Sequence, residues 1–176
     1  MFKFDAMKKH KIIKLLIIFL VIACNIGCDQ VSKSMARTDL PTDLPISYIN
    51  HHFTLIRVEN TGAFLSLGDH TAGPLRAILL VIIPLLMLGG ALYLIIKKRM
   101  HLIQLLAICF IVGGGIGNIY DRLAKGSVTD FMHIRIGPFE TGIFNMADVS
   151  VMVGMFTLVI YNFILRRRQR QMEASV

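Results

Sequence analysis

The sequence predicts a mainly α-helical membrane protein: a four-transmembrane-helix bundle with a small β-element on its outer face. Of its 176 residues, 55% are hydrophobic, and the mean hydropathy is +0.64. The apolar residues gather in four long runs, whereas a soluble core would space them in short periods. Lys and Arg gather before the first run, between the second and third runs, and after the fourth. Such an asymmetry between alternate connecting segments is typical of membrane proteins.

Each apolar run is a candidate membrane span. About 20 helical residues cross the hydrocarbon core, and roughly 17 to 25 are tolerated. Because a backbone in lipid must satisfy its own hydrogen bonds, each span should be a helix. Pro84 lacks an amide donor and should kink the second span. We predict a single domain over residues 1–176, with spans at residues 12–28, 77–96, 102–120 and 147–165.

The charges predict the orientation of the chain. Twelve of the nineteen Lys and Arg residues precede the first span, separate the second from the third, or follow the fourth. Only Asp5 and Glu173 oppose them on that side, whereas the other side holds seven cations and nine acids. By the positive-inside rule, both termini are cytoplasmic. Basic charge placed in this way indicates membrane topology, so we expect no nucleic-acid partner.

The first outer segment contains a short β-pattern. Apolar residues alternate with polar ones at Phe53, Leu55 and Val58, among β-branched neighbours. Asn60-Thr61-Gly62 is a turn signal. We therefore predict short strands within residues 46–68, joined by this turn and lying on the membrane surface.

Three cysteines lie within or beside the apolar runs: Cys24, Cys28 and Cys109. An odd number in such positions does not indicate a disulfide framework. No histidine stands at ligand spacing from them, so we expect no metal and no cofactor, and we interpret the cysteines as small buried residues.

The first span has a second interpretation. Lysines, an apolar run and then Val21-Ile22-Ala23-Cys24 resemble the end of a signal peptide, which would be removed before Cys24 is lipidated. Three further spans follow, and a polar cluster over residues 29–33 stands at the outer end of the run. These features favour a span that is not cleaved.

The carboxylates Asp121, Asp130 and Asp148 stand beside the outer ends of spans three and four. Ionisable groups at membrane depth are costly and usually have a function. Apolar neighbours of Asp130 and Asp148 predict partial burial, which raises a carboxyl pKa. Two such groups that share a proton can act together as base and acid on a water and a scissile carbonyl.

Each acidic residue also has a purely structural interpretation. Asp148 could be the N-cap of span four. Asp121 is better explained by an ion pair with the adjacent Arg122 at the end of span three. Asp29 could cap the outer end of span one or pair with Lys33, four residues later. From spacing alone, these alternatives stay open.

Five blocks of sequence, in order and between four spans, resemble the lipoprotein signal peptidases, also called signal peptidase II. The resemblance covers nearly the whole chain. Each block alone is weak, and their order makes the resemblance specific. The blocks are Asp29-Gln30-Val31-Ser32-Lys33, Val58-Glu59-Asn60-Thr61-Gly62-Ala63-Phe64, Gly113 to Arg122 (GGGIGNIYDR), Val128-Thr129-Asp130-Phe131 and Phe144-Asn145-Met146-Ala147-Asp148.

This resemblance implies that Asp130 and Asp148 are the catalytic dyad. It also implies a set of residues that line or support the site, with Asp29 and Lys33 near its rim. The set consists of Asn60, Gly62, Asn118, Asp121, Arg122 and Asn145. One departure is Gly115, which stands where the family usually has Ala and so removes a methyl group from a packing face.

The family's properties imply the activity. Its members are aspartic endopeptidases of the bacterial cytoplasmic (inner) membrane that cut diacylglyceryl-modified prolipoproteins just before the lipidated cysteine. They have four spans, cytoplasmic termini and an outer β-cradle, need no metal, and are inhibited by the cyclic peptide globomycin. We expect prolipoproteins, membrane lipid and such inhibitors as partners, and a monomer that holds a complete site.

Two other classes of function compete with the peptidase. A small ion-coupled carrier could use the carboxylates as proton relays, but it predicts internal pseudo-symmetry and polar groups deep in the spans. Apart from Gln104, the strong polar groups gather at the outer ends. A structural scaffold would leave the outer acids without a role. Cleavage of a lipid-modified precursor separates the peptidase from both.

Overall fold

The computed structural model describes residues 2–42, 44–62 and 74–174, with side chains for 11–42, 44–62 and 74–173. Within these ranges, four helices are long and apolar enough to cross a membrane. A small antiparallel sheet of four strands accompanies them. The predicted fold class is confirmed.

The helices continue beyond the apolar runs. Helix α1 spans Phe2–Asp39, α4 spans Leu102–Lys125 and α5 spans Met146–Ala174. Each extends beyond the residues predicted for its span. In α1, the pairing of Lys33 with Asp29 one turn earlier supports the helix beyond Cys28.

The second span is helical throughout Pro74–Lys97 but changes its hydrogen-bonding pattern. Helix α2 (Pro74–Ala77) leads into a π-helical turn (Ile78–Ile82), and α3 (Ile83–Lys97) follows. Pro84 stands at the start of α3, directly after this turn. A π-turn is one of the ways in which a helix accommodates a proline, which has no amide donor. The irregularity expected at Pro84 therefore takes the form of a π-turn on its N-terminal side.

The sheet combines two segments that are distant in sequence. Strands β1 (Ile46–Tyr48) and β2 (Phe53–Asn60) come from the first outer segment, and β3 (Val128–Ile136) and β4 (Phe139–Glu140) come from the second. Their spatial order is β1-β2-β3-β4, and Val58 of β2 lies opposite Asp130 of β3. Strands β3 and β4 were not predicted from the sequence.

The turn between the predicted strands was assigned to the wrong residues. Strands β1 and β2 are joined by residues 49–52, where Ile49, Asn50 and His51 have positive φ angles. The segment Asn60-Thr61-Gly62 instead ends β2 and turns toward the helices. Residues 63–68 of the predicted β-element lie outside the described residues.

Helix α4 is the centre of the bundle and packs against α1, α3 and α5. Its glycines allow close approach of the neighbouring helices, as small residues do in membranes. A Cβ atom on Gly113 would lie 2.7 Å from the Cβ of Asn25 in α1. A Cβ atom on Gly114 would overlap the carbonyl oxygen of Ala147 in α5. Helices α1, α4 and α5 therefore meet closely around Gly113 and Gly114.

The interpretation of the cysteines as buried is wrong for two of the three. Cys24 and Cys28 are exposed on α1, and only Cys109 is buried. Because lipid solvates apolar side chains as well as a protein core does, α1 has no need to turn its small apolar residues inward.

Candidate active site

The two carboxylates singled out from the sequence line one cavity of about 440 Å³. Asp130 enters it from β3, and Asp148 enters it from the first turn of α5. The remaining walls are mostly apolar and come from the second span, α4 and α5. They include Leu79, Leu80, Pro84, Ile119, Val151, Met152 and Met155.

Asn145 joins the two carboxylates. Its side-chain amide donates to Asp130 Oδ1 at 2.6 Å, and its backbone amide donates to Asp148 Oδ2 at 3.1 Å. In return, the backbone amide of Asp148 donates to Asn145 Oδ1 at 3.0 Å. This reciprocal pair is a capping box, with Asn145 as the N-cap and Asp148 three residues later. Asp148 is therefore not the N-cap itself, and the start of α5 fixes its position relative to Asp130.

The second oxygen of Asp130 is held from the end of β2. Asn60 Nδ2 donates to Asp130 Oδ2 at 2.9 Å. Asn60 Oδ1 accepts from the backbone amide of Gly62 at 2.9 Å, and Gly62 O accepts from Arg122 Nη2 at 2.8 Å. The segment 60–62 thus connects the sheet to α4 beside the carboxylate.

Burial dominates the electrostatics of Asp130, which is 3% exposed. Removal from water raises its pKa from 3.8 to about 6. The donors on Asn60 and Asn145 act in the opposite direction, and the charge of Asp148 adds to the rise. Asp130 therefore holds a proton more readily than an ordinary carboxyl group.

Asn118 of α4 supports the other carboxylate. Its Nδ2 donates to Asp148 Oδ1 at 2.9 Å. Its Oδ1 accepts from Asn145 Nδ2 at 3.2 Å and from Lys33 Nζ at 2.9 Å. Because both amide ends are occupied, the orientation of Asn118 is fixed by its partners.

Lys33 and Asp29 lie beneath the site, rather than near its rim as the family resemblance implied. Both side chains are fully buried and are 2.7 Å apart. Asp29 Oδ1 also accepts from the backbone amide of Ala147 at 2.9 Å, which links α1 to the start of α5. A buried ammonium group needs several acceptors, and Lys33 finds them on α1 and α4.

The interpretation of Asp121 as a partner of Arg122 is wrong. Asp121 is fully buried and lies 2.8 Å from Lys33, 3.1 Å from Arg37 and 2.8 Å from Lys125. Consecutive residues of a helix point in different directions, so Asp121 faces α1 while Arg122 faces the cavity. Asp121 thus belongs to a buried charge network behind the site.

A group of residues on the back of β3 was not predicted from the sequence. Arg37 Nε donates to Thr129 Oγ1 at 2.7 Å, and Thr129 Oγ1 donates to Glu59 at 3.0 Å. One signal was available, because Arg37 follows Lys33 by four residues and so lies on the same face of α1. The pairing of Glu59 with Thr129 depends on the sheet register, which no local pattern predicted.

Taken together, the site residues form one connected network. The structure brings Asn60, Asn118 and Asn145 onto the two carboxylates, and it places Gly62 and Arg122 next to them. One wall of the cavity is thus polar and acidic, and the rest is apolar. Such a cavity can hold an apolar chain and place one polar bond of that chain beside the two carboxyl groups.

The family model described as Signal peptidase (SPase) II matches residues 17–164. The chain is similar to the protein named lipoprotein signal peptidase of Clostridioides difficile (strain 630), with 34% identity over 151 residues, 86% of this chain and 97% of the relative. It is also similar to the protein of that name in Borreliella burgdorferi (strain ZS7), with 31% identity, 86% of this chain and 92% of the relative.

Two solved structures of bacterial membrane enzymes, determined by the in meso method, resemble the fold. One, at 2.3 Å resolution, has a TM-score of 0.73 at 26% identity and covers 83% of this chain and 87% of its own. The other, at 1.9 Å resolution, has a TM-score of 0.72 and covers 82% and 90%. With a family match across most of its length, the chain belongs to the signal peptidase II family.

Proposed function

We propose that this protein is an intramembrane aspartic endopeptidase that removes signal peptides from diacylglyceryl-modified bacterial prolipoproteins, cutting before the lipidated cysteine. Asp130 and Asp148 are its catalytic pair. Asn60, Gly62, Asn118, Arg122 and Asn145 form the immediate support of the site, and Asp29, Lys33 and Asp121 form the buried layer behind it. The enzyme needs neither metal nor cofactor.

One observation carries the assignment of the pair: Asn145 holds both carboxyl groups within one cavity. Its side chain binds Asp130 and its backbone binds Asp148, at 2.6 and 3.1 Å. Two carboxylates in one apolar-walled cavity do not both ionise easily, so the pair shares a proton. Because Asp130 is the more buried and its pKa is raised to about 6, Asp130 is the proposed proton donor of the pair.

The shared proton supports a general acid–base mechanism. Asp148 takes a proton from a water molecule, whose oxygen attacks the scissile carbonyl carbon, while Asp130 donates its proton to the carbonyl oxygen. The resulting diol collapses, and its hydroxyl proton returns to Asp130. The C–N bond breaks as the proton held by Asp148 moves to the leaving amine, and the pair regains its starting state.

The walls of the cavity suit an apolar substrate helix. Leu79, Leu80 and Pro84 contribute from the second span, and Val151 and Met155 contribute from α5. A signal peptide already lies in the membrane as an apolar segment, and its lipid anchor keeps the cleavage site at the outer interface. The cavity lies at the outer ends of α4 and α5, so it meets the substrate at the depth where the bond is cut.

We further propose that the protein spans the bacterial cytoplasmic (inner) membrane with both termini in the cytoplasm, and that one chain is a complete, monomeric enzyme. The charge distribution supports this orientation, with twelve cations on the proposed cytoplasmic side. Both carboxyl groups and the partners described for them come from one chain, which supports a site that needs no second copy.

The decisive experiment is cleavage of a purified diacylglyceryl-modified prolipoprotein in detergent micelles. Asp130→Asn and Asp148→Asn keep the size and polarity of each side chain but remove the ionisable acid. Both variants should lose roughly a thousandfold or more in kcat because each removes one half of the proton pair. Mass spectrometry of the product should show a cut just before the modified cysteine.

Glu140→Gln is the matched control, since Glu140 is an exposed acid that pairs with Arg135 on the sheet. It should cleave like the wild type. Activity in either Asp variant would show that the pair is wrongly assigned, and absence of cleavage by the wild type would favour the ion-coupled carrier.

Globomycin provides a second test of the cavity. A cyclic peptide inhibitor that occupies the space between the carboxylates and the second span should compete with substrate and raise KM without changing kcat. Leu80→Ala removes an apolar wall of that space and should weaken inhibition. Inhibition that does not compete with substrate would place the inhibitor elsewhere.

A further inference from the structure

Arg37 stands where three parts of the molecule meet. It lies near the outer end of α1, and its guanidinium group reaches both the sheet and α4. Nε donates to Thr129 Oγ1 on β3 at 2.7 Å, and Nη2 donates to Asp121 Oδ1 on α4 at 3.1 Å. Its backbone oxygen accepts from Arg57 Nη1 on β2 at 3.0 Å. One residue thus joins the first helix, the central helix and two strands.

The contact with Thr129 lies on the back of the strand that carries Asp130. Successive side chains of a strand point to opposite faces, so Thr129 points away from the cavity while Asp130 points into it. Thr129 is fully buried, and its hydroxyl group is engaged on both sides: it accepts from Arg37 and donates to Glu59. The rotation of β3 about its own axis is therefore fixed from behind.

The two carboxylates of the site belong to different parts of the fold. Asp148 is fixed within the helix bundle by the capping box with Asn145 and by Asn118 of α4. Asp130 belongs to the sheet, whose position on the bundle decides where its carboxyl group lies. Arg37 spans that boundary with two directed hydrogen bonds, which the planar guanidinium group can make and a point charge cannot.

We propose that Arg37 is a positioning residue that, through Thr129, holds Asp130 in register with Asp148. This inference rests on the proposed function, because the alignment of the pair matters only if the pair performs the chemistry. Arg37 does not line the cavity. Its loss should therefore affect the chemical step and leave substrate binding largely intact.

Asp121 keeps its charge compensated when Arg37 is removed. Lys33 and Lys125 each lie 2.8 Å from its carboxylate. Arg37→Met should therefore fold, with its main effect at Thr129. Thr129→Val removes the same contact from the other side, leaves every described partner of Asp121 in place, and preserves the shape of the side chain.

The test compares kcat and KM of the purified full-length variants on the diacylglyceryl-modified prolipoprotein. Arg37→Met and Thr129→Val should each lower kcat by roughly tenfold or more, with KM within about twofold of wild type. The double variant should lose clearly less than the product of the two single losses in kcat, because both substitutions remove the same Arg37–Thr129 hydrogen bond. Arg37→Lys should recover little, since a lysine can keep Asp121 or Thr129 but not both.

Arg135→Met is the matched control, because Arg135 is an exposed arginine on the same strand that pairs only with Glu140 among the side chains the structure describes. It should retain wild-type kinetics. The inference is overturned if kcat of Arg37→Met stays within about twofold of wild type, or if KM rises by the same factor as kcat falls. It is also overturned if the losses in the double variant are additive in free energy, or if Arg37→Lys recovers full activity.

Amide hydrogen exchange over β3 gives a readout that does not depend on activity. Exchange of the segment 128–132 should be roughly threefold or more faster in Arg37→Met and unchanged in Arg135→Met. If the wild type failed to cleave, the proposed function would fall, and this exchange would decide the positioning role by itself. Unchanged exchange would refute it.

Discussion

Asp130 is 3% exposed, and its pKa lies near 6 because burial disfavours the ionised form. The free enzyme therefore holds the shared proton below about pH 6 and loses it above. Since the proton is needed to protonate the scissile carbonyl, kcat/KM should fall as pH rises through this value, by about tenfold per pH unit well above it. A pH profile of kcat/KM on the lipid-modified substrate measures this limb.

Asn60→Ala is a second test that the fall of kcat/KM with rising pH reports the ionisation of Asp130. Asn60 Nδ2 donates to the ionised carboxylate of Asp130, which lowers its pKa, so removal of the donor should move the limb to higher pH. Asn162→Ala, at an exposed position on α5, should leave the limb unmoved. A limb that stayed in place, or that moved to lower pH in Asn60→Ala, would assign it to another group.

Lys33 is the residue on which the buried charges depend. Its ammonium group lies 2.7 Å from Asp29 and 2.8 Å from Asp121, and all three side chains are fully buried. Lys33→Met leaves Asp29 without this cation and Asp121 with only its outer partners, so the free energy of unfolding should fall by about 3–5 kcal/mol. Thermal unfolding in detergent measures the loss as a lowered Tm.

Lys125→Met is the control for this prediction. Lys125 also pairs with Asp121, but it is partly exposed, and Asp121 keeps Lys33 and Arg37. Its loss should cost less than about 1 kcal/mol. Equal losses in both variants would mean that the number of cations, and not burial, sets the stability of this cluster.

Among the elements, the contact between α4 and α5 positions one half of the site. A Cβ atom on Gly114 would overlap the carbonyl oxygen of Ala147, the residue before Asp148. Gly114→Ala should push the start of α5 outward, lower kcat and reduce stability by about 1–3 kcal/mol. Kinetics and thermal unfolding of the same preparation check both effects.

Two other glycines provide contrasts within the same chain. A Cβ atom on Gly90 would meet no atom within 4 Å, so Gly90→Ala should be neutral or slightly stabilising. At Gly115, where the family resemblance implied Ala, the three atoms nearest to a Cβ atom would all belong to the flexible side chain of Leu88. Gly115→Ala should therefore retain activity. Wild-type kinetics in Gly114→Ala would show that the two helices separate without disturbing Asp148.

The elements themselves were predictable to different degrees. The four helices were evident because lipid admits only apolar, internally hydrogen-bonded segments, so composition alone predicts them. Strands β3 and β4 were missed because β3 (Val128–Ile136) pairs with β2, a segment far away in the chain, and no local pattern encodes that register. The hairpin turn at residues 49–52 was missed because it lacks glycine.

In the molecule as a whole, the helix ends that carry basic residues gather on one side of the bundle. Lys14 Nζ donates to the carbonyl oxygen of Lys98 at 2.7 Å, which places the start of the first span beside the end of the second. The proposed topology makes these ends cytoplasmic and the sheet external. In a cysteine-free variant, Glu140→Cys should react with an impermeant maleimide in intact cells, and Glu173→Cys should react only after permeabilisation.

Replacement of Cys24, Cys28 and Cys109 by Ala supplies the background for this labelling. Cys109 is fully buried, so retained cleavage activity is needed to show that the background still folds. Labelling of Glu173→Cys in intact cells would reverse the orientation, and labelling of both positions would mean that the chain inserts in two orientations.

Hydropathy was enough to predict the membrane class and the four helices, because apolar length has a direct energetic meaning in lipid. The cost of ionisable groups at membrane depth made Asp121, Asp130 and Asp148 candidates, and the resemblance to the family, not their spacing, implied the pair. Which groups meet was decided by the packing of the folded chain. That packing turned Asp121 away from its neighbour Arg122 toward Lys33, and it placed Asn145 between the two carboxylates. It also brought Arg37 behind the strand of Asp130. Those contacts depend on how close-packed helices and a sheet of distant segments orient each side chain, which no run of residues specifies alone.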